Sequence, residues 1–407
     1  MDNELNTILT KDNDTLFVKL PIVLDKNSAD DIYSTILSNI DETITTIIFN
    51  AKELRSISAD GLDVILETKK KNKEIVIDNA RIGICDILES YGFNNFVNIS
   101  KQYRFISIKG CKIIGQGGHG TIYKLGEDTI IKVYKDHSPL EVIENERQYA
   151  RNAFVNGIPT AIAYDIVETE QGYGIVFEMI NGMTLGQYLR KNPDKLEEYS
   201  VKFAKLLLTL NSTVAEPDLY LDFKQVYLDR SEKAKKYIGE KDGEILKQII
   251  KAIPDGNGMI HGDYHPNNIM IDNAGELLFI DMADISRGNS FFDLGGTYML
   301  MNFIAKIPLL RAILKNITSL NYKECLKMWD ILIRTYYNTD DEETIEKYNS
   351  QFKAFSNIRI VSSIGMKSSR KEFVTKLMAI YSKIFVIPKA QKYIDIFSNL
   401  SNNQSLE

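Results

Sequence analysis

The sequence predicts two folds in succession: an α/β sandwich over residues 1–108, then an α+β region that opens on strands and ends in helices. Three observations carry this. Up to about residue 108, short β-branched runs alternate with amphipathic helical segments, the pattern of helices packed on a sheet. Residues 109–180 read strand, glycine loop, strand, turn, strand, with one helix near 140–156. From about 181 onward helical spacing dominates, except for the apolar run Leu277, Leu278, Phe279, Ile280.

The elements of the first region follow in order. Residues 15–24 carry one or two strands. Asn27, Ser28 and Asp30 offer cap residues to a helix reaching Ile40, with Ile32, Ile36 and Ile40 on one face. The run 45–50 is a short, β-branched, buried strand. Asp60 and Gly61 start a helix bearing Leu62, Ile65 and Leu66, and it ends at Lys69, Lys70 and Lys71, favourable charges for a helix C-terminus. Residues 74–78 form a third strand, and a helix over 85–91 is stopped by Gly92.

Composition sets the outer bounds. The 407 residues are 44% hydrophobic, 26% charged and 10% aromatic, which excludes a disordered or low-complexity chain and allows more than one core. The net charge of −6 argues against a nucleic-acid binder working through a broad basic face. The most apolar stretch, 299–314, is interrupted by Lys306, Pro308 and Arg311, so no membrane span is expected. The N-terminus is polar and acidic, unlike a secretory signal. Cys85, Cys111 and Cys325 lie far apart with no CxxC, so neither zinc nor a disulfide framework is expected, and a reducing cytoplasmic setting is the default.

Four motifs bear chemistry. The first is Gly115, Gly117, Gly118 and Gly120. Alone this spacing fits a Rossmann turn, a phosphate-covering hairpin or a plain glycine loop. A Rossmann turn needs a helix immediately afterwards, whereas Thr121, Ile122 and Tyr123 continue as a strand, so the hairpin is favoured. The second is Lys132, in the next strand. A strand lysine is ordinarily solvated, but in this hairpin it becomes a phosphate-binding lysine needing an acidic partner on the following helix. Glu144 and Glu146 both qualify, and Glu146 is preferred. The third is the string from Ile260 to Ile271, in which Asp263 precedes Asn268 by five positions. That spacing lets one tight loop aim a proton-accepting carboxylate and a metal-binding amide at a single phosphoryl group. The fourth is Asp281, a carboxylate at the end of an apolar strand and a second metal ligand; Asp284 beside it is undecided between assistance and plain surface.

His261-Gly262-Asp263-x-His265-Pro266-x-Asn268, then Phe279-Ile280-Asp281, then Gly288 and Asp293-Leu294, resemble the aminoglycoside phosphotransferase and choline kinase branch of the protein-kinase-like fold. The resemblance spans roughly 110–300. It implies a bilobal kinase-like domain over 109–407, with an N-lobe to about 180 and a helical C-lobe beyond. It implies ATP and Mg²⁺ as cofactors, and a hinge at 177–180 whose backbone at Glu178 and Ile180 reads adenine. Asp293 falls at a position often structural in that family. His-Gly-Asp stands where most protein kinases carry His-Arg-Asp, and no Ala-Pro-Glu follows Asp281, so activation-loop phosphorylation is not expected. Residues 1–108 resemble a STAS domain, the fold of anti-sigma-factor antagonists, through 45–50, 57–62, 74–78 and Tyr91-Gly92-Phe93. Asp60 stands where that family has a phosphorylatable serine, which reads either as a helix cap or as a fixed mimic of the phosphorylated state.

The expected function is an ATP- and Mg²⁺-dependent phosphotransferase. Asp263 and Lys132 are catalytic; Gly115, Gly117, Gly118, Gly120, Lys132, Glu146, Glu178 and Ile180 bind nucleotide; Asn268 and Asp281 hold metal. The acceptor is a hydroxyl, on a small molecule, with regulation through the STAS-like region and its protein partner. The alternatives are a nucleotide-sensing adaptor and a protein serine kinase in a partner-switching pathway. Neither nucleic acid nor membrane is an expected partner. Trp329, Tyr336 and Tyr337 are expected in a helical core. Charge divides unevenly: 12 basic and 17 acidic residues up to 108, against 15 basic and 10 acidic over 309–407. A site for polycationic aminoglycosides calls for carboxylates, and the basic tail, including Lys367, Arg370 and Lys371, leans the other way. The chain is therefore not expected to be an antibiotic-resistance enzyme.

Overall fold

The computed structural model describes residues 9–118, 120–135, 138–365 and 372–400. The chain forms two compact units, one from the residues up to Ser107 together with Ile166–Glu170, the other from Ile108–Asp165 and from Gln171 onward.

In the first unit, five strands lie in chain order: β1 (Leu9–Asp12), β2 (Thr15–Lys19), β3 (Thr46–Asn50), β4 (Glu74–Ala80) and β5 (Asn98–Lys101). β1 and β2 form an antiparallel hairpin, while β2–β3, β3–β4 and β4–β5 are parallel. The parallel steps require crossovers, supplied by α1 (Lys26–Asn39), α2 (Ala59–Lys69) and α3 (Ile82–Ser90). Leu16, Val18, Ile47, Phe49, Ile75 and Ile77 are in register on one face of the sheet and share one buried core with Ile32, Ile36, Leu62, Ile65 and Leu88.

Two helix starts differ from expectation. α1 begins earlier, because Asp25 forms a reciprocal capping box with Ser28 and leaves Asn27 and Asp30 inside the helix. α2 is capped by Ser58, whose side chain accepts from Gly61 N, while Asp60 sits exposed in the first turn. Gly61 is there for space: a Cβ would lie 2.7 Å from the Leu24 carbonyl oxygen. Gly92, at φ +76°, lies just beyond α3 in the left-handed region.

The second unit opens with β6 (Lys112–Gln116), β7 (Gly120–Lys124) and β8 (Thr129–Tyr134), an antiparallel ribbon extended by β9 (Gly172–Glu178) beside β8. Helix α4 (Leu140–Val155) follows β8. The remainder is helical and carries the expected strand β13 (Leu277–Phe279), with four more that were not expected: β10 (Gly182–Thr184), β11 (Gly258–Ile260), β12 (Ile269–Asp272) and β14 (Ser286–Gly288). These are two small sheets, β10–β12–β13 and β11–β14, all antiparallel. Pieces of three or four residues are too short to show alternation; they exist because a partner strand lies alongside.

Around them pack α5 (Leu185–Lys191), α6 (Leu196–Ser212), α7 (Phe223–Ile238), α8 (Glu240–Lys251), α9 (Phe291–Tyr298), α10 (Arg311–Thr318), α11 (Tyr322–Tyr337), α12 (Glu342–Ser362), α13 (Glu372–Tyr381) and α14 (Ala390–Ser398). Trp329 is buried edge-on against Tyr298 and Phe352, with its indole N–H donated to Asn349. Tyr336 is only partly buried and donates its hydroxyl to Asn211 Oδ1, and Tyr337 stacks on Tyr348. Among the described residues no single helix is long and apolar enough to cross a membrane. The basic run 367–371 lies outside the described residues.

Candidate active site

The glycine hairpin is shaped by two different demands. Gly120 opens β7 so close to β8 that a Cβ would overlap the Val133 carbonyl, and its own carbonyl accepts from Gly117 N at 2.9 Å. At Gly117 and Gly118 nothing of the protein lies within 4 Å of where a Cβ would be. Glycine there leaves an open space above the backbone, as a ligand cradle does.

Lys132, in the middle of β8, is buried. Its Nζ lies 2.7 Å from Glu146 Oε1 and 2.6 Å from Asp281 Oδ1. Glu146 is buried on α4, whereas Glu144 is only partly covered. Burial works against the charge on Lys132, but the two carboxylates prevail and hold its pKa above the ordinary lysine value.

The catalytic-loop motif runs from the end of β11 into β12. Gly262 takes φ +82°, and Asp263 follows with its side chain 55% exposed. Two neighbours frame Asp263. His265 Nε2 lies 3.5 Å from Oδ2. Asn268 Nδ2 donates to the Asp263 carbonyl at 2.9 Å and reaches Oδ2 at 3.4 Å. Burial of the site opposes ionisation of Asp263, but the His265 contact and the charge of Arg359 outweigh it, holding the carboxyl well below the usual carboxylate range. The group is therefore ionised at neutral pH.

Asp281 comes from the end of the β12–β13 hairpin. Ile280 N donates to the Asn268 carbonyl at 3.0 Å, which sets Asp281 beside Asn268. Asp281 itself adopts φ +59°, uncommon for a non-glycine residue and a form of strain found at functional sites. The loop, the lysine and this carboxylate thus converge.

The hinge residues have partners of their own. Glu178 N donates to the Ile162 carbonyl, its side chain accepts from Ile162 N at 3.3 Å, and Met179 N donates to the Asp128 carbonyl. The Glu178 side chain is thus a structural brace, and Ile180 is partly buried just beyond. Asp284 is exposed, its Cβ against Gly262.

Residues beyond the reacting groups hold this site. Asp293, fully buried on α9, accepts from His261 N and Gly262 N, each at 2.8 Å, and from Asn211 Nδ2 at 3.0 Å. Burial pushes its carboxyl up, against the pull of His261 and of these donors. Thr297 donates to the Tyr264 carbonyl at 2.9 Å, and Arg359 of α12 reaches the Gly262 carbonyl at 3.2 Å. Asn211, Thr297 and Arg359 are single polar residues inside helices, and nothing in their local sequence marks them.

A β-ribbon with a glycine hairpin and a buried lysine–glutamate pair, above a helical region bearing an Asp–Asn loop and a strand-end aspartate, defines a kinase-like phosphotransferase. The model of the phosphotransferase enzyme family, APH, matches residues 110–325, and the chain belongs to that family. It is an ATP-dependent kinase that acts on hydroxyl groups, with small molecules as acceptors. Among solved structures it is similar to the ADP-bound aminoglycoside phosphotransferase APH(2'')-Ib (14% identity, 77% of this chain and 98% of that one, TM-score 0.45). It is similar also to choline kinase LicA from Streptococcus pneumoniae (15% identity, 69% and 91%, TM-score 0.40). A third is aminoglycoside phosphotransferase APH(3'')-Id from Streptomyces rimosus (14% identity, 56% and 93%, TM-score 0.37). No curated protein matches the sequence.

Proposed function

We propose that Asp263 is the residue that accepts the acceptor hydroxyl's proton during transfer of the γ-phosphoryl group of ATP. The observation that carries this is the convergence of Lys132, Glu146 and Asp281 with the Asp263–Asn268 loop through the Ile280–Asn268 backbone bond. Lys132, fixed by Glu146, is placed to exchange its contact with Asp281 for phosphate oxygens. The backbone at Gly115, Gly117, Gly118 and Gly120 covers those phosphates, and the backbone at Glu178 and Ile180 meets the base. Catalysis of this kind rests on positioning and electrostatics rather than on covalent chemistry.

The donor set suits Mg²⁺. That ion takes one or two protein oxygens, phosphate oxygens and water. Asn268 spends its Nδ2 on Asp263, which orients Oδ1 as the remaining acceptor, and Asp281 is part-exposed. Among the described residues there is no group of three or more His, Cys, Asp or Glu that could hold a metal ion. Bound there, Mg²⁺ would neutralise phosphate charge.

The first unit reads as a STAS-like regulatory module. Its antiparallel edge hairpin, parallel sheet and exposed Asp60 in the first turn of α2 support this. Asp60→Ser should strengthen capture of a protein partner; unchanged capture counts against the mimic. The basic balance of 309–407 favours an acceptor that is not polycationic.

The deciding experiment is ATP turnover over a panel of hydroxylated metabolites with kanamycin included, using full-length protein and Asp263→Ala. Turnover abolished by Asp263→Ala is expected. Turnover that survives that variant refutes the assignment of Asp263, and efficient kanamycin phosphorylation refutes the acceptor class. An adaptor would bind Mg-ATP without turnover.

A further inference from the structure

We infer that Arg359, on helix α12, is a positioning residue for phosphoryl transfer, fixing the peptide that carries Asp263. The inference rests on the proposed role of Asp263.

The catalytic loop has no side chain at its middle position. Gly262 is left-handed, and a Cβ there would lie 3.0 Å from both the Cβ and the carbonyl oxygen of Asp284 and 3.3 Å from the Phe223 ring. The loop is held instead through its backbone. On one side Asp293 accepts from Gly262 N; on the other Arg359 Nη2 donates to the Gly262 carbonyl at 3.2 Å. That carbonyl belongs to the peptide joining Gly262 to Asp263. A carboxylate and a guanidinium therefore grip the two ends of the residue before the proton acceptor, and each bond is strengthened by charge.

Arg359 is itself constrained. Its Nη1 donates to the hydroxyl of Tyr227, fully buried on α7, at 3.2 Å. Its entry depends on a second glycine: a Cβ on Gly296 would lie 2.9 Å from Nη1. Phe355, one turn earlier on α12, packs against Gly295 and the rings of Phe291 and Phe292, setting the helix register that presents Arg359. Two bonds, one glycine gap and one aromatic anchor thus bring a cation from 97 positions downstream to the loop. Its field also favours the ionised form of Asp263. The guanidinium does not need to touch substrate for any of this.

The test measures Mg-ATP turnover of the full chain with the metabolite panel, comparing wild type, Arg359→Ala, Arg359→Lys and Gly296→Ala, with Asp263→Ala as the control. Displacing the loop should lower kcat by about 10- to 100-fold, because small misplacements near a reacting group are costly. KM for ATP should stay near wild type, since Lys132 and the hairpin are untouched. Millimolar guanidinium should restore part of kcat to Arg359→Ala and nothing to Asp263→Ala. Gly296→Ala should shift in the same direction with the arginine still present. Wild-type kcat in Arg359→Ala overturns the inference. So does a loss accompanied by a parallel rise in KM and no response to guanidinium, which marks a general structural defect. If Arg359→Ala fails to fold, Arg359→Lys decides by the same kcat-against-KM comparison. Turnover surviving Asp263→Ala removes the underlying reading instead.

Discussion

Replacing Asp293 with asparagine keeps the side-chain shape and converts one acceptor atom into a donor. Both oxygens are committed in the wild type: Oδ2 to His261 N and Asn211 Nδ2, Oδ1 to Gly262 N. An asparagine that keeps its oxygen at the Oδ2 position turns its NH₂ toward Gly262 N. Two buried donors then face each other, and each unsatisfied group costs about 1–3 kcal/mol. The neutral side chain no longer buries a charge, which offsets part of this. A net loss of roughly 2–4 kcal/mol follows. For domains of a few hundred residues each kcal/mol moves Tm by about 2–4 °C, so the expected drop is roughly 4–16 °C by calorimetry. Because Gly262 adjoins Asp263, kcat should fall by about 10-fold or more while KM for ATP holds. An asparagine variant with wild-type Tm and wild-type kcat would show that Asp293 does not frame the loop.

Further outcomes follow from the same geometry. Glu146→Gln removes one carboxylate from Lys132; a charge-assisted bond of roughly 1.5–3 kcal/mol predicts a fall of about 10- to 100-fold in kcat/KM for ATP, read from steady-state kinetics. Gly120→Ala drives a methyl into the Val133 carbonyl and should cost about 1–3 kcal/mol in urea unfolding. Gly118→Ala meets no protein atom, so it should leave stability within about 0.5 kcal/mol yet weaken ATP binding by titration. Burial pushes the Cys85 and Cys325 thiols up to about 11, which suppresses their thiolates at neutral pH. Only Cys111 should react promptly with an alkylating reagent, as mass spectrometry of the folded protein would show.

The chemistry-bearing motifs were legible because they are local. Asp263 and Asn268 share one loop, and the strand leading to Asp281 announces itself by its apolar run. The preference for Glu146 over Glu144 could be stated but not decided from spacing; the burial of Glu146 on α4 separates them. What stayed hidden is what depends on partners. β11 and β14 are three-residue strands that exist through each other. Ser58 caps α2 where Asp60 was the visible candidate, because capping depends on the backbone turning one residue before the helix. Asn211, Thr297 and Arg359 are unremarkable helical residues until the helices that bear them are packed together.

That distribution bears on how the loop works. Its backbone is gripped from α6 through Asn211 and Asp293, from α9 through Asp293 and Thr297, and from α12 through Arg359. Tyr336 of α11 adds a fourth helix by donating to Asn211, the residue that bonds Asp293. None of these helices carries the reacting groups, yet α9 and α12 set hydrogen bonds within one or two residues of Asp263, and α6 and α11 support them through Asn211. Such a loop is only as rigid as the packing among helices far apart in sequence, including the aromatic cluster of Phe291, Phe292, Phe352 and Phe355. Core substitutions in α12 should therefore lower kcat before they abolish folding, because a shift too small to unfold the domain is large on the scale of proton transfer.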